Sequence, residues 1–222
     1  MKRILSVLLI LGGILIVMYP TVKNINSERK QKEIVQRWDE IMENLDEQAE
    51  IEHENKIINH YNEGNAMNNL LENKSSKNDE IEENIQPKII IKDGEEGILL
   101  INKIDFKQPI LKGSSQENLS ITVSSVENAG EPGSSNYCIA GHRSKAYGRN
   151  FNRLDELENE DEIKIYTANN NYTYVVYEKF RVNPEDVWVL DEKEGQVELT
   201  LITCDPIINP NKRLIIKAKL KQ

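Results

Sequence analysis

Three side chains in the last third of the chain have the types and placement for acyl-transfer chemistry: the Cys204 thiol, the His142 imidazole and the Arg213 guanidinium. Cys204 closes the apolar run Glu198-Leu199-Thr200-Leu201-Ile202-Thr203-Cys204. His142 closes Tyr137-Cys138-Ile139-Ala140-Gly141-His142, and Arg213 opens Arg213-Leu214-Ile215-Ile216-Lys217-Ala218. A strand end holds a side chain rigidly at a sheet rim while leaving it open to substrate. Free thiols titrate near pH 8.5 and imidazoles near 6.5, so a neighbouring imidazolium can stabilise the reactive thiolate and protonate a departing amine. A guanidinium keeps its charge and offers a planar fork of donors, so Arg213 could stabilise a tetrahedral oxyanion or hold a peptide backbone. Arg143 and Arg149 are rival cations near His142, with Arg143 read as a loop contact. Each residue has a plain alternative: Cys204 a small core side chain, His142 a hydrogen-bonded structural one. Ala140, two residues before His142, shares its side of the strand, and its small side chain would leave room for a peptide or simply fill the interior.

The elements carrying these groups have a wider likeness. TLITC at Thr200–Cys204, IAGHR at Ile139–Arg143, 62 residues from His142 to Cys204, and an Arg nine positions after the Cys resemble the sortases. The likeness runs from about Glu95 to the C-terminus and includes GEPGSSNYCIAGHR and the following YGRNFNRLDEL. It is nearest to class D, with class A close. The resemblance implies a closed eight-stranded β-barrel and a cysteine transpeptidase. Cys204 would form an acyl-thioester, His142 would donate and accept the proton, and Arg213 would stabilise the oxyanion or substrate. Its partners would be surface proteins bearing a C-terminal LPxTG-like sorting signal and an amine of a cell-wall precursor or peptidoglycan cross-bridge. It also implies a substrate contact at Thr203 and a groove formed by the connection Phe180–Gly195. Val187 and Trp188 could line that groove, although a Trp beside Val and Leu fits a core equally well.

Other classes are weighed on the same residues. A papain-like hydrolase would place Cys before His, and here His142 comes first. Class C pilin polymerases resemble one another in an upstream lid with an Asp-Pro-aromatic motif, whereas Asp205-Pro206 follows the nucleophile candidate. A non-enzymatic, membrane-tethered β-domain would bind partners through an acidic helical arm and leave Cys204 unreactive. Some class A sortases depend on calcium. Asp93, Glu95, Glu96, Glu127 and Glu131 could attract it but form no recognisable ligand loop, so no cofactor is expected. Cys138 and His142 form a C-x3-H pair without the second pair a metal site needs.

The composition agrees with a cell-surface enzyme. A net charge of −9, from 28 basic and 37 acidic residues, argues against a nucleic-acid partner, which needs clustered Lys and Arg. Cys138 reads as an inert buried thiol, and Cys204 must stay free to act as nucleophile. Met1-Lys2-Arg3 precedes an uncharged run, Ile4–Tyr19, that would rise about 24 Å as a helix. No A-x-A cleavage pattern follows, so it reads as an uncleaved signal anchor. Lys2 and Arg3 place the N-terminus in the cytoplasm, giving a single-pass membrane protein with its catalytic domain outside.

Three regions follow: a cytoplasmic tip and transmembrane anchor at 1–22, an extracellular helix and linker at 23–86, and a β-domain at 87–222. Ile34, Val35, Trp38, Ile41, Met42 and Leu45 fall on one face of a helix over Ser27–Tyr61, with Ser27 as N-cap. That periodicity fits both a spacer and a regulatory arm. Asn62–Gln86 is polar and reads as linker. Beyond Pro87, strands are expected at Ile98–Ile101, Phe106–Ile110, Tyr137–Gly141, Asp161–Thr167, Tyr172–Val182, Gln196–Cys204 and Arg213–Leu220. Short helices are expected at Asn150–Glu158 and within Glu117–Val126. A hairpin turn at Ala168-Asn169-Asn170-Asn171 would use the tolerance of Asn for positive φ.

Overall fold

Eight strands close into a barrel in the computed structural model, in the order β1-β2-β3-β4-β7-β8-β6-β5. The described residues are 11, 13, 18, 19, 22, 25–43, 92–145 and 150–221. The strands are β1 Glu95–Ile101, β2 Phe106–Leu111, β3 Val123–Ser125, β4 Asn136–Ala140, β5 Glu162–Tyr166, β6 Asn171–Val182, β7 Glu198–Asp205 and β8 Lys212–Leu220. Pairing is antiparallel except for β2 with β3 and β4 with β7. Closure leaves no unpaired sheet edge to template aggregation.

Period-2 alternation fills the interior. Tyr137 and Ile139 of β4, Ile163 and Ile165 of β5, Tyr174 and Val176 of β6, Leu199 and Leu201 of β7, and Leu214, Ile216 and Ala218 of β8 form one buried cluster. The intervening residues of β7 and β8 face outward, yet few of them are exposed. A second cluster on that outer face joins Val182, Val189 and Ile215 with Phe180, Leu190 and Ile202. Its cover is the connection from β6 to β7, which carries a short 3-10 helix at Val187–Leu190.

That connection is fastened by buried polar groups. Asn136 Nδ2 donates to the carbonyls of Val189 and Asp191, both at 3.1 Å, and Lys217 Nζ donates to Val189 at 2.8 Å. Thr200 Oγ1 donates to Asn136 Oδ1 at 2.6 Å, fixing the amide's orientation. A buried polar atom left without a partner costs about 1–3 kcal/mol, so this set favours one seating of the connection over sliding alternatives.

Several elements differ from the sequence-based expectation. The eighth strand, β3, has no counterpart in that expectation and follows directly on the short helix expected within Glu117–Val126. There the helix Gln116–Ile121, labelled α2, is capped by the Ser115 hydroxyl, which accepts from Asn118 N at 3.1 Å. The chain turns extended at Thr122, where Val123 enters the core. The expected helix at Asn150–Glu158 is a 3-10 helix at Phe151–Glu156. The β5–β6 hairpin contains no positive-φ Asn at 168–171. Thr167 closes it instead, its hydroxyl donating to the Asn170 carbonyl at 2.8 Å and accepting from the Asn170 N–H at 3.1 Å.

The chain divides into two compact units, Met1–Gln36 with Ile91–Gln222, and Arg37–Ile90. Residues 25–43 form helix α1, in which Trp38 is fully buried. Ser27 is an internal residue of α1, because residues 25 and 26 already have helical conformation, so it is not the N-cap. Positions 44–61 of the expected helix, the linker Asn62–Gln86 and most of the anchor run Ile4–Tyr19 lie outside the described residues. Among the described residues no helix is long and apolar enough to cross a membrane.

Candidate active site

Strand register brings two of the three chemically suited residues, Cys204 and Arg213, into direct pairing. β4 and β7 run parallel with Ala140 opposite Ile202, and the Gly141 N–H continues the ladder by donating to the Ile202 carbonyl at 3.0 Å. β4 ends at Ala140, and His142 follows two residues later on the loop leaving it, its carbonyl accepting from Phe151 N at 3.0 Å. On the other side, β7 and β8 are antiparallel and Cys204 is the direct partner of Arg213. Cys204 and Arg213 therefore form a row on β7 and β8, and the loop carrying His142 leaves the strand that flanks β7 on the other side.

The row faces outward. Cys204 and Arg213 share strand parity with Ile202 and Ile215, which pack in the outer cluster and not in the barrel interior. Cys204 is a free, half-buried thiol, His142 is exposed and Arg213 is half-buried. Arg213 Nη1 donates to the Lys212 carbonyl at 3.1 Å, and among the described residues no carboxylate pairs with the guanidinium. Most of its donor fork is thus open to a ligand. Ala140 is half-buried on β4.

Thr203 has a different setting. It is buried, and its hydroxyl donates to the Gly141 carbonyl at 2.8 Å. This bond ties the residue before Cys204 to the residue before His142, so the hydroxyl is committed inside the fold. Trp188 and Val187 lie on the outer connection and are exposed, which excludes the core alternative for the Trp. Trp188 stacks on Phe180, with ring centroids 5.6 Å apart and planes 4° apart. Phe180 is the cross-strand partner of Ile215, two residues from Arg213. An aromatic ledge therefore stands on the same face as the row.

Cys138 is fully buried under the connection, and burial pushes its thiol up to about 11. A thiol so held is a poor nucleophile, whereas the Cys204 thiol is half-buried. Arg143 is more than a loop contact. Its guanidinium, 6% exposed, forms ion pairs with Asp205 and with Asp155, the latter at 2.7 Å. Asp205 also accepts from Arg181 Nε at 2.5 Å. Sequence reasoning passed over Asp205 and Arg181. The available signal was the adjacency of opposite charges to the two reactive candidates, Arg143 after His142 and Asp205 after Cys204. Arg149 lies outside the described residues.

The sortase-domain family model matches residues 99–221. Sortase A of Bacillus anthracis is 32% identical over 124 residues, covering 56% of this chain and 59% of the relative. Among solved structures, a Clostridium perfringens Sortase D5 transpeptidase is 32% identical with a TM-score of 0.53, covering 58% of this chain and 79% of that one. Sortase C1 of Streptococcus agalactiae is 30% identical with a TM-score of 0.57, covering 60% and 70%.

The chain belongs to the sortase family.

The chain spans a little over half the length of the curated sortase A relatives it matches. Within this sortase barrel, three of the acidic residues considered for calcium, Glu96, Glu127 and Glu131, line one pocket together with Lys112. Glu96 accepts the Tyr137 hydroxyl at 2.8 Å, and among the described residues no group of three or more His, Cys, Asp or Glu side chains could hold a metal ion.

Proposed function

We propose that the chain is a membrane-anchored cysteine transpeptidase acting on surface proteins that carry an LPxTG-like sorting signal. The direct pairing of Cys204 with Arg213, with His142 two residues beyond the end of the strand paired to β7, is the observation that supports this reading. The Cys204 thiolate attacks the Thr–Gly-type carbonyl, and Arg213 donates to the oxyanion that develops. The C–N bond then breaks as His142 gives its proton to the leaving amine, releasing the C-terminal remnant and leaving an acyl-thioester on Cys204. An amine of a cell-wall precursor or cross-bridge attacks the thioester, His142 takes up the amine's proton, and a new amide forms as the thiolate departs. Ala140 and the Trp188 ledge would line the path of the peptide. Thr203 would contribute by holding Gly141.

In this reading residues 1–22 are the cytoplasmic tip and anchor, 23–86 an extracellular arm, and 87–222 the catalytic barrel. The apolar run Ile4–Tyr19 and its preceding Lys2 and Arg3 support the anchor. So do the exposed apolar side chains of Leu11, Met18 and Tyr19. Surface-protein anchoring is favoured over pilin polymerisation because the only Asp-Pro, Asp205-Pro206, lies in the β7–β8 turn and not in an upstream lid.

The test incubates the full chain with sorting peptides and candidate amines and follows products by mass. A covalent acyl adduct on Cys204, and an amide product that requires the amine, are expected. Hydrolysis alone at every amine concentration would favour a cysteine hydrolase. Undiminished turnover by a folded Cys204→Ala variant would remove the mechanism.

A further inference from the structure

At the end of the barrel, on the strand face opposite the Cys204 side chain, four charged groups form a closed set. Asp205 Oδ1 pairs with Arg143 Nη1, and Asp205 Oδ2 accepts from Arg181 Nε at 2.5 Å. Arg143 Nη2 reaches Asp155 Oδ1 at 2.7 Å. The set balances two guanidiniums against two carboxylates, and its central pair is mostly shielded, with Arg143 6% and Asp205 11% exposed. Shielded, hydrogen-bonded pairs hold geometry far better than surface pairs, and removing one partner strands the other's charge.

The connectivity gives this set its meaning. Asp205 directly follows Cys204 on β7, and Arg143 directly follows His142 on the loop leaving β4. That loop leaves the barrel ladder early: β4 ends at Ala140, and past it the backbone contacts are the Gly141 bond to Ile202, the His142 carbonyl accepting from Phe151 N at 3.0 Å, and the bridge of Arg143 to Asn150. The His142 imidazole makes no hydrogen bond among the described residues, so its placement depends on the backbone that carries it. The Arg143–Asp205 pair is a side-chain tie from that backbone to the end of the nucleophile's strand, beside the Thr203 hydroxyl bond to the Gly141 carbonyl. Asp155, on the 3-10 helix Phe151–Glu156, supports the guanidinium from the other side.

We propose that Asp205 is a positioning residue which, through Arg143, locks the loop carrying His142 against the strand end carrying Cys204. This rests on the transpeptidase reading of Cys204 and His142. Arg181, 55% exposed and remote from the His142 loop in sequence, anchors Asp205 from β6 without itself bearing on His142.

The experiment measures kcat and KM for a sorting peptide with full-chain Asp205→Asn, Arg143→Gln, the double variant, Asp205→Glu and Arg181→Gln. In parallel, the rate at which iodoacetamide alkylates Cys204 is compared with that of His142→Gln. Each of the first two variants is expected to lower kcat about 10- to 100-fold, with KM within about twofold, because small misplacements of reacting groups cost rates of that order. The double variant is expected to be no worse than the weaker single, since both changes break one tie. Asp205→Glu should recover part of the loss, and Arg181→Gln should stay within about twofold of the parent. Independent, multiplying effects of Asp205→Asn and Arg143→Gln, or a loss in Arg181→Gln as large as in Arg143→Gln, would overturn the lock, as would an unchanged kcat in folded Asp205→Asn. If Arg143→Gln fails to fold, Asp205→Asn and Asp205→Glu decide alone. If the parent turns over no peptide, the transpeptidase reading fails while alkylation still reports the lock. Alkylation should slow in Asp205→Asn as it does in His142→Gln, and parental rates in Asp205→Asn would overturn it.

Discussion

Cys204 on β7 and Arg213 on β8 are direct cross-strand partners in antiparallel register. Partners of this kind project to the same face with Cβ atoms about 5 Å apart, so the sulfur and the guanidinium keep a distance set by the sheet and not by loop conformation. The ladder has to hold that distance, because the Arg213 side chain is fastened only to the carbonyl of its own neighbour, Lys212, among the described residues.

Arg213→Ala is therefore expected to lower kcat by about 10²- to 10³-fold, the usual effect of losing one oxyanion donor. The barrel should stay folded, because the side chain is half-buried and no ion pair is lost. Arg213→Lys keeps the charge without the planar fork and should fall between. Steady-state cleavage of a sorting peptide, with thermal unfolding as control, checks both. A threefold or smaller loss in Arg213→Ala would remove Arg213 from the site.

Gly141 sits between β4 and His142 in a space that admits no side chain. A Cβ there would lie 2.6 Å from Cδ2 of Phe151 and 2.8 Å from Cγ1 of Val123. Both neighbours are fully buried, and the Phe151 ring packs on Phe106 at 5.3 Å, so neither can swing away freely. Gly141→Ala should destabilise by about 1–3 kcal/mol, the usual range for an overpacked core, and should also displace His142. Urea unfolding reads the first effect and peptide turnover the second. A parental urea midpoint would show that the space relaxes.

The positions of Cys204 and Arg213 near strand ends were legible because strand ends and period-2 alternation follow from the residues themselves. Seven strands could be read from apolar runs. The eighth, Val123–Ser125, could not: it has three residues, two of them serines, and is held by pairing with β2 and β4. The lock at Asp205 escaped for a related reason. Its partners Arg143 and Arg181 are 62 and 24 positions away, and no periodicity marks an ion pair formed by closure of a barrel. Lys217 was hidden differently. An alternating strand usually has one wet face, and nothing local shows that the β6–β7 connection covers this one.

Stability above pH 10 should carry the mark of two core phenols. Burial raises Tyr174 to about 12 and, with Glu96 beside it, raises Tyr137 well above the usual value. Unfolded tyrosines ionise near pH 10, so between there and the native values the unfolded state has released protons that the native state keeps. Stability then falls as pH rises through this window, by at most about 1.4 kcal/mol per pH unit for each group. Urea unfolding between pH 9 and 11.5 should show this fall. Tyr174→Phe should show a shallower one, with a lower starting stability because Gly133 N loses its 2.8 Å acceptor. Equal slopes would mean that Tyr174 does not contribute.

Lys217 and Glu198 form the most buried charge pair of the outer face, with side chains 4% and 1% exposed and 3.7 Å apart. Burial lowers the Lys217 pKa and Glu198 opposes that shift, so the ammonium depends on its partner. Lys217→Met would strand the Glu198 carboxylate, keeping the Tyr177 hydroxyl at 2.7 Å and a half-exposed Lys193 at 3.6 Å, and would remove one donor from the Val189 carbonyl. A loss of about 2–4 kcal/mol is expected, somewhat under the cost of leaving a buried charge wholly alone. Lys217→Met with Glu198→Gln should recover much of it, because a neutral amide in place of the carboxylate removes the stranded charge. Since Val189 seats the connection that bears Trp188, backbone amides around Val187–Leu190 should exchange faster in Lys217→Met, and KM for a sorting peptide should rise more than kcat falls. Exchange and KM both at parental values, in a variant destabilised as stated, would separate the buried pair from the groove and confine it to stability.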